Sequence, residues 1–185
     1  MIKDTIANAK QSMTATVEHT REDMQTIRTG RANPNMFNGL VAEFYGSLTP
    51  IPQMASITAP EPRMLLVKPY DPSTMNEIEN AIRNSDLGVN PTNDGQVLRV
   101  TIPQLTEERR KDMVKLAKSK GEEGKVAIRN IRRKGMDTIK KAVKDGEIGE
   151  DEGKSGEEEL DKVTNDFVKK VDEVVALKEK ELMEV

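Results

Sequence analysis

The sequence predicts an α+β protein: an elongated three-helix bundle with a small, mostly β domain inserted between the first and second helices. Three observations predict it. Three long segments repeat apolar residues at helical spacing. All nine prolines fall between Pro34 and Pro103. Four of the five aromatics (Phe37, Phe44, Tyr45 and Tyr70) share that interval. Proline breaks helices by removing an N–H and clashing with the preceding turn, whereas aromatics favour strands and compact cores.

In the first segment Ile2, Ile6, Ala9, Met13, Val17, Thr20, Met24 and Ile27 recur at steps of three and four, which marks one helical face. The chain changes character at Thr29-Gly30-Arg31 and again at Pro103-Gln104-Leu105-Thr106. The expected organisation is therefore a bundle from 1–30 and 105–185, an inserted domain from 31–104, and hinges at 29–31 and 103–106. Gly30, Arg31, Gln104, Leu105 and Thr106 are the candidate hinge residues.

Within the insert, Leu40 to Tyr45 alternates as a strand does, and Met64-Leu65-Leu66-Val67 reads as a buried strand. Asp71-Pro72 is a helix start, with Met75, Ile78 and Ile82 as its buried face. Asn93-Asp94-Gly95 is a hairpin turn, and Val97 to Ile102 alternates after it. These elements predict strands around a single helix.

Thr106 is an N-cap followed by Glu107 and Glu108, so the second bundle helix should run from there to about Lys144. Its seam is Met113, Leu116, Ala117, Gly124, Ala127, Ile128, Ile131, Gly135 and Ile139. Gly146 and Gly149 end it. The third helix uses Leu160, Val163, Phe167, Val171, Val174, Leu177 and Leu182. Gly121, Gly124 and Gly135 lie on the second helix's seam and admit two readings, close helix approach or local fraying. Gly153 and Gly156 predict an irregular start to the third helix. Three such stripes bury one another as a bundle.

Charged residues make up 33% of the chain and aromatics 3%, a composition that suits long amphipathic helices. No apolar run approaches the ~18 residues of a membrane span. MIKDTIANAKQSM lacks the apolar core of a signal peptide, and there is no cysteine. The expectation is a soluble cytoplasmic protein, with neither membrane nor DNA as a partner.

The net charge of −3 hides an asymmetry. Residues 106–149 carry fourteen bases against eight acids, and residues 150–185 carry six against thirteen. Lys111, Lys115, Lys118, Lys125, Arg129, Arg132, Arg133 and Lys140 fall within about 100° of one another on a helical wheel. Within this band on the helix only Glu122 interrupts, whereas ordinary solvated faces mix signs. Arginine forks match phosphate oxygens in pairs. The band therefore points to a structured RNA, held by phosphate and sugar contacts that position a protein without reading sequence.

Enzyme readings fare badly. Gly149-Glu150-Asp151-Glu152-Gly153-Lys154-Ser155 is one residue short of a phosphate-binding loop, has three acids at its centre and does not follow a strand. His19 is the single histidine, off the helical seam, with no metal-ligand companions. No catalytic group, cofactor or metal is expected.

Seven stretches, in order along the chain, carry a resemblance. They are Ile27-Arg28-Thr29-Gly30-Arg31-Ala32, Tyr45-Gly46 with Thr49-Pro50, and Pro60-Glu61. Next come Leu87-Gly88-Val89-Asn90-Pro91 with Asn93-Asp94-Gly95, and Leu105-Thr106-Glu107-Glu108-Arg109-Arg110-Lys111. Val126-Ala127-Ile128-Arg129-Asn130-Ile131-Arg132-Arg133 and Lys178-Glu179-Lys180-Glu181-Leu182-Met183 complete them. The chain resembles bacterial ribosome recycling factors from end to end.

That resemblance implies an L-shaped molecule near the size of tRNA, with a flexible hinge and no catalytic site of its own. It implies that the protein acts as a monomer with elongation factor G and GTP to split post-termination ribosomes into subunits, releasing mRNA and tRNA. It also implies contact with large-subunit rRNA at the peptidyl-tRNA region through Arg129, Arg132 and Arg133, joined by Arg28, Arg31 and Lys125. The family pattern usually has an acid after the paired arginines, where this chain has Lys134 and then Gly135. Two other classes compete: a general structured-RNA-binding protein, and a helical chaperone or adaptor whose seams stay open to clients.

Overall fold

A computed structural model describes residues 1–184. Along the chain the elements are α1 (Ile2–Gln25), β1 (Val41–Phe44), β2 (Ser47–Pro50), α2 (Ile51–Met54), β3 (Ala55–Glu61) and β4 (Met64–Pro69). They continue with α3 (Met75–Arg83), β5 (Pro91–Asn93), β6 (Leu98–Thr101), α4 (Glu107–Lys144) and α5 (Glu150–Met183). The chain divides into two compact units, residues 1–27 with everything from Arg110 onward, and residues 28–109. Residues 29–31 and 103–106 both lie inside the second unit.

The first unit is helical. α4 starts where the sequence places it: the Arg109 amide donates to Thr106 Oγ1 at 3.1 Å, and Glu107 and Glu108 occupy the first turn. α1 runs parallel to α5, since Ile2 packs on Gly156 near the start of α5. α4 runs opposite to both, with Gly135 facing Leu160 and Gly121 facing Val175. Ile6, Met13, Val17, Ile128, Ile139, Leu160, Val171 and Leu182 are among the buried side chains.

Close approach, not fraying, explains the glycines of α4. A Cβ on Gly124 would stand 2.5 Å from Oγ1 of Thr20 on α1, and one on Gly135 would stand 2.7 Å from Cδ2 of Leu160. The irregular start expected for α5 does not occur. Gly153 and Gly156 are buried within a helix continuous from Glu150, because Val143 and Ile2 fill the space a side chain would need.

Two seam residues also move. Leu177 is 61% exposed and Lys178 is buried in its place. Lys178 follows Leu160 by about five full turns and so repeats its direction, whereas Leu177 points roughly 100° away. Leu116 is exposed for the same reason, with Ala117 taking the inward position.

The second unit holds a two-stranded sheet, β1-β2, and a four-stranded antiparallel sheet in the order β3-β4-β6-β5. Leu65 pairs with Val100 and Val67 with Leu98, and all four are fully buried in a cluster with Ile78 and Ile82 of α3. β3 carries Pro60 at a sheet edge, where the register shifts between Thr58 and Glu61. β5 opens on Pro91 at the other edge.

A single-turn helix, α2, joins the expected α3, whose entry is a 3₁₀ turn (Pro72–Thr74) capped by Asp71. The Asn93-Asp94-Gly95 turn is held by the Asp94 carboxylate. It accepts from the Val97 and Gln96 amides and sits below the ordinary carboxylate range for that reason. The tyrosines are not core residues. Phe37 is fully buried, while Tyr45 and Tyr70 are exposed. Tyr45 lies edge-on to Phe44 and donates its hydroxyl proton to Asp71.

Thr20 Oγ1 donates to the Thr16 carbonyl at 3.0 Å and cannot easily turn away from Gly124. Overpacking there costs ~1–3 kcal/mol, against a helix-propensity gain of about 1 kcal/mol. Gly124→Ala is therefore expected to lower stability by about 1 kcal/mol in urea unfolding. A gain would mean that α1 yields to the added methyl.

Candidate RNA interface

The basic band of α4 exists as a face, and its neighbour α5 divides it into two rows. The inner row is Lys118, Lys125 and Arg132, spaced by two turns. Each meets an acid of α5. Lys118 Nζ lies 3.9 Å from Glu179, Lys125 Nζ contacts Asp172, and Arg132 Nε lies 2.6 Å from Asp161 Oδ1. Lys125 also lies 3.4 Å from Glu122 one turn earlier on α4. Its side chain is only 18% exposed, and its ammonium is paired with both carboxylates. The hydrogen bond to Asp172 is the main reason that Lys125 is held above its ordinary value of 10.5.

The outer row is Lys115, Arg129, Arg133 and Lys140. All four are exposed and form no ion pair among the described residues. This row is free to exchange its hydration water and counter-ions for phosphate oxygens. Arg132 sits at the boundary, with its side chain 42% exposed and its guanidinium Nε paired with Asp161 of α5.

Arg28 and Arg31 belong to the second unit. Arg28 donates through Nη2 to the Asp86 carbonyl and passes beside Gly88. Arg31 is exposed, and its backbone amide donates to Thr29 Oγ1 at 3.3 Å. Gly30 adopts φ +76°, a conformation strained for a side chain, and a Cβ there would stand 3.3 Å from the Leu105 amide nitrogen. Gln104 accepts from Arg63 at 3.5 Å.

Asp161, Asp172 and Glu179 are the residues that sequence reasoning missed. The only available signal was spacing: Lys118, Lys125 and Arg132 repeat every seven residues, as do Asp172 and Glu179. Nothing in one helix alone says that these sets face each other.

The remaining candidates do not form sites. His19 is 74% exposed beside Asp23. Gly149 to Ser155 form the cap and first turns of α5, with Gly153 turned inward. No group of three or more histidines and carboxylates that could hold a metal occurs among the described residues. No helix among them is long and apolar enough to cross a membrane.

Comparison with known proteins places the chain in a family. The family model for ribosome recycling factor matches residues 20–183. The ribosome-recycling factor of Corynebacterium glutamicum (strain R) is 75% identical over the full length of both chains. The chain belongs to the ribosome recycling factor family.

A solution structure of a ribosome recycling factor superposes with a TM-score of 0.79 at 36% identity, covering 100% of this chain and 98% of the other. A T. thermophilus ribosome recycling factor, described with E. coli elongation factor G bound to the E. coli post-termination complex, gives a TM-score of 0.68. It is 43% identical over the whole of both chains. At Gly135, after the paired arginines and Lys134, Leu160 fills the space that a side chain would need.

Because its folded pKa is raised, Lys125 contributes stability that is fully present below 10.5 and is lost as pH rises through its folded value. In Asp172→Asn the main cause of that rise is gone. The stability difference between the parent and Asp172→Asn should be constant from neutral pH to about 10.5 and shrink above it. Urea titrations across that range measure it, and a difference that grows with pH would rule out the pairing.

Proposed function

We propose that the protein recycles ribosomes: with elongation factor G and GTP it splits post-termination ribosomes into subunits, freeing mRNA and tRNA. Its own part is mechanical. The GTPase supplies the chemical energy, and this chain, a cytoplasmic monomer without catalytic groups or a cofactor, grips rRNA and transmits force. The outer row of α4 is the observation that carries this reading, because it sets unpaired cations along one exposed face in a chain of this family.

In this reading Arg129, Arg132 and Arg133 grip large-subunit rRNA at the peptidyl-tRNA region, with Lys125, Arg28 and Arg31 adding charge. Residues 29–31 and 103–106 serve as the hinge between the bundle and the inserted domain. The continuous α4 supports such a role, since Arg132 lies roughly 40 Å along the helix from Thr106 at 1.5 Å per residue. Two chain connections at the hinge permit bending while limiting free rotation. The relative seen with elongation factor G on a post-termination complex supports the choice of partner.

Light scattering from post-termination ribosomes, with an anti-association factor trapping free subunits, tests the function. The signal should fall only when this protein, elongation factor G and GTP are all present. No fall despite proven ribosome binding would favour a general structured-RNA-binding protein instead. Arg132→Glu should weaken ribosome binding by about 1.5–3 kcal/mol, roughly ten- to a hundredfold, by removing a charge-assisted contact. Unchanged affinity at matched salt would take Arg132 out of the interface.

A further inference from the structure

Among the three arginines Arg129, Arg132 and Arg133, only Arg132 has a carboxylate partner among the described residues. The way it is held is specific. Its Nε–H donates to Asp161 Oδ1 at 2.6 Å, while Nη1 and Nη2 make no hydrogen bond among the described residues. A guanidinium has five donors in a rigid plane, so a bond at Nε restrains that plane and leaves the Nη donors available to a partner.

Asp161 is itself well anchored. It follows Leu160, which is fully buried and packed over Gly135, one turn beyond Arg132. The two helices are therefore in close contact where the pair forms. Both partners are substantially exposed, at 42% and 49%, so the pair contributes little to stability. An ion pair with a small stabilising role leaves orientation as its consequence.

Resting on the RNA contact assigned above to Arg132, we propose that Asp161 is a positioning residue. It holds the Arg132 guanidinium by Nε so that the Nη edge meets one RNA phosphate bidentately. The opposite electrostatic effect is real, since a carboxylate beside a cation also competes with phosphate. The two effects separate chemically. Asparagine keeps the Oδ1 acceptor and removes the charge, whereas alanine removes both.

The experiment measures ribosome affinity at matched salt for the full chain carrying Asp161→Ala, Asp161→Asn, Arg132→Ala, and Asp161→Ala with Arg132→Ala. Ordering one long side chain in advance is expected to be worth roughly two- to tenfold in affinity. Asp161→Ala should bind that much more weakly than the parent despite its more positive net charge. Asp161→Asn should bind as tightly as the parent or more tightly, and Asp161→Ala should add nothing once Arg132 is alanine.

Equal tightening by both Asp161 variants would overturn the proposal and make Asp161 a competitor of the phosphate. So would an unchanged Asp161→Ala, or an equal loss with and without Arg132, which would mark a purely structural role. If Arg132→Ala itself binds like the parent, the RNA assignment of Arg132 fails first. Loss in Arg132→Ala without loss in Asp161→Ala sinks the positioning role alone.

Discussion

The distance between α4 and α5 is the constraint on which the basic face depends. Gly121 and Gly135 on α4, and Gly153 on α5, remove side chains where Val175, Leu160 and Val143 press across the gap. With β-carbons at those places the helices would have to separate, since interaxial distance follows the side chains at the contact. At the observed spacing the short carboxylates of Asp161 and Asp172 reach Arg132 and Lys125. The pairing is antiparallel: as the α4 position rises by two turns, the α5 partner falls.

That arrangement separates two tasks within one helix. Apolar burial along the seams supplies the stability of the bundle, at about 25 cal/mol for each Å² removed from water. The inner cations are met internally, and the outer ones are left hydrated. Exposed ion pairs contribute little to folding, so a face of this kind can exchange water or carboxylate for phosphate without loosening the bundle. Lys125 is the exception in degree, because its side chain is the least exposed of the three inner cations and its ammonium pairs with two acids.

The inserted unit is built on other physics. It buries strand residues at alternate positions, Leu65 and Val67 against Val100 and Leu98, beneath an amphipathic helix. Two of its prolines, Pro60 and Pro91, lie on the two edge strands, where a missing N–H does least harm. Gly30, with a positive φ and Leu105 against it, lets the two connecting segments pass close together.

The extent of α4, the buried face of α3, the hairpin at Asp94 and most core positions were legible in the sequence, because each follows from local rules. Helical period, Thr106 and Asp71 caps, and turn chemistry act over a few residues and need no knowledge of a partner. The basic band was legible for the same reason. What only the tertiary structure decided was every outcome that depends on a neighbour. Gly153 and Gly156 became packing positions instead of breaks because Val143 and Ile2 lie over them. Lys178 replaced Leu177 inside because the twist of a long helix accumulates over turns. The band split into paired and unpaired cations because α5 brings acids from positions 161, 172 and 179 to one side of it. Charge and periodicity belong to one strand of sequence, whereas a counter-ion held across two helices exists only once they pack.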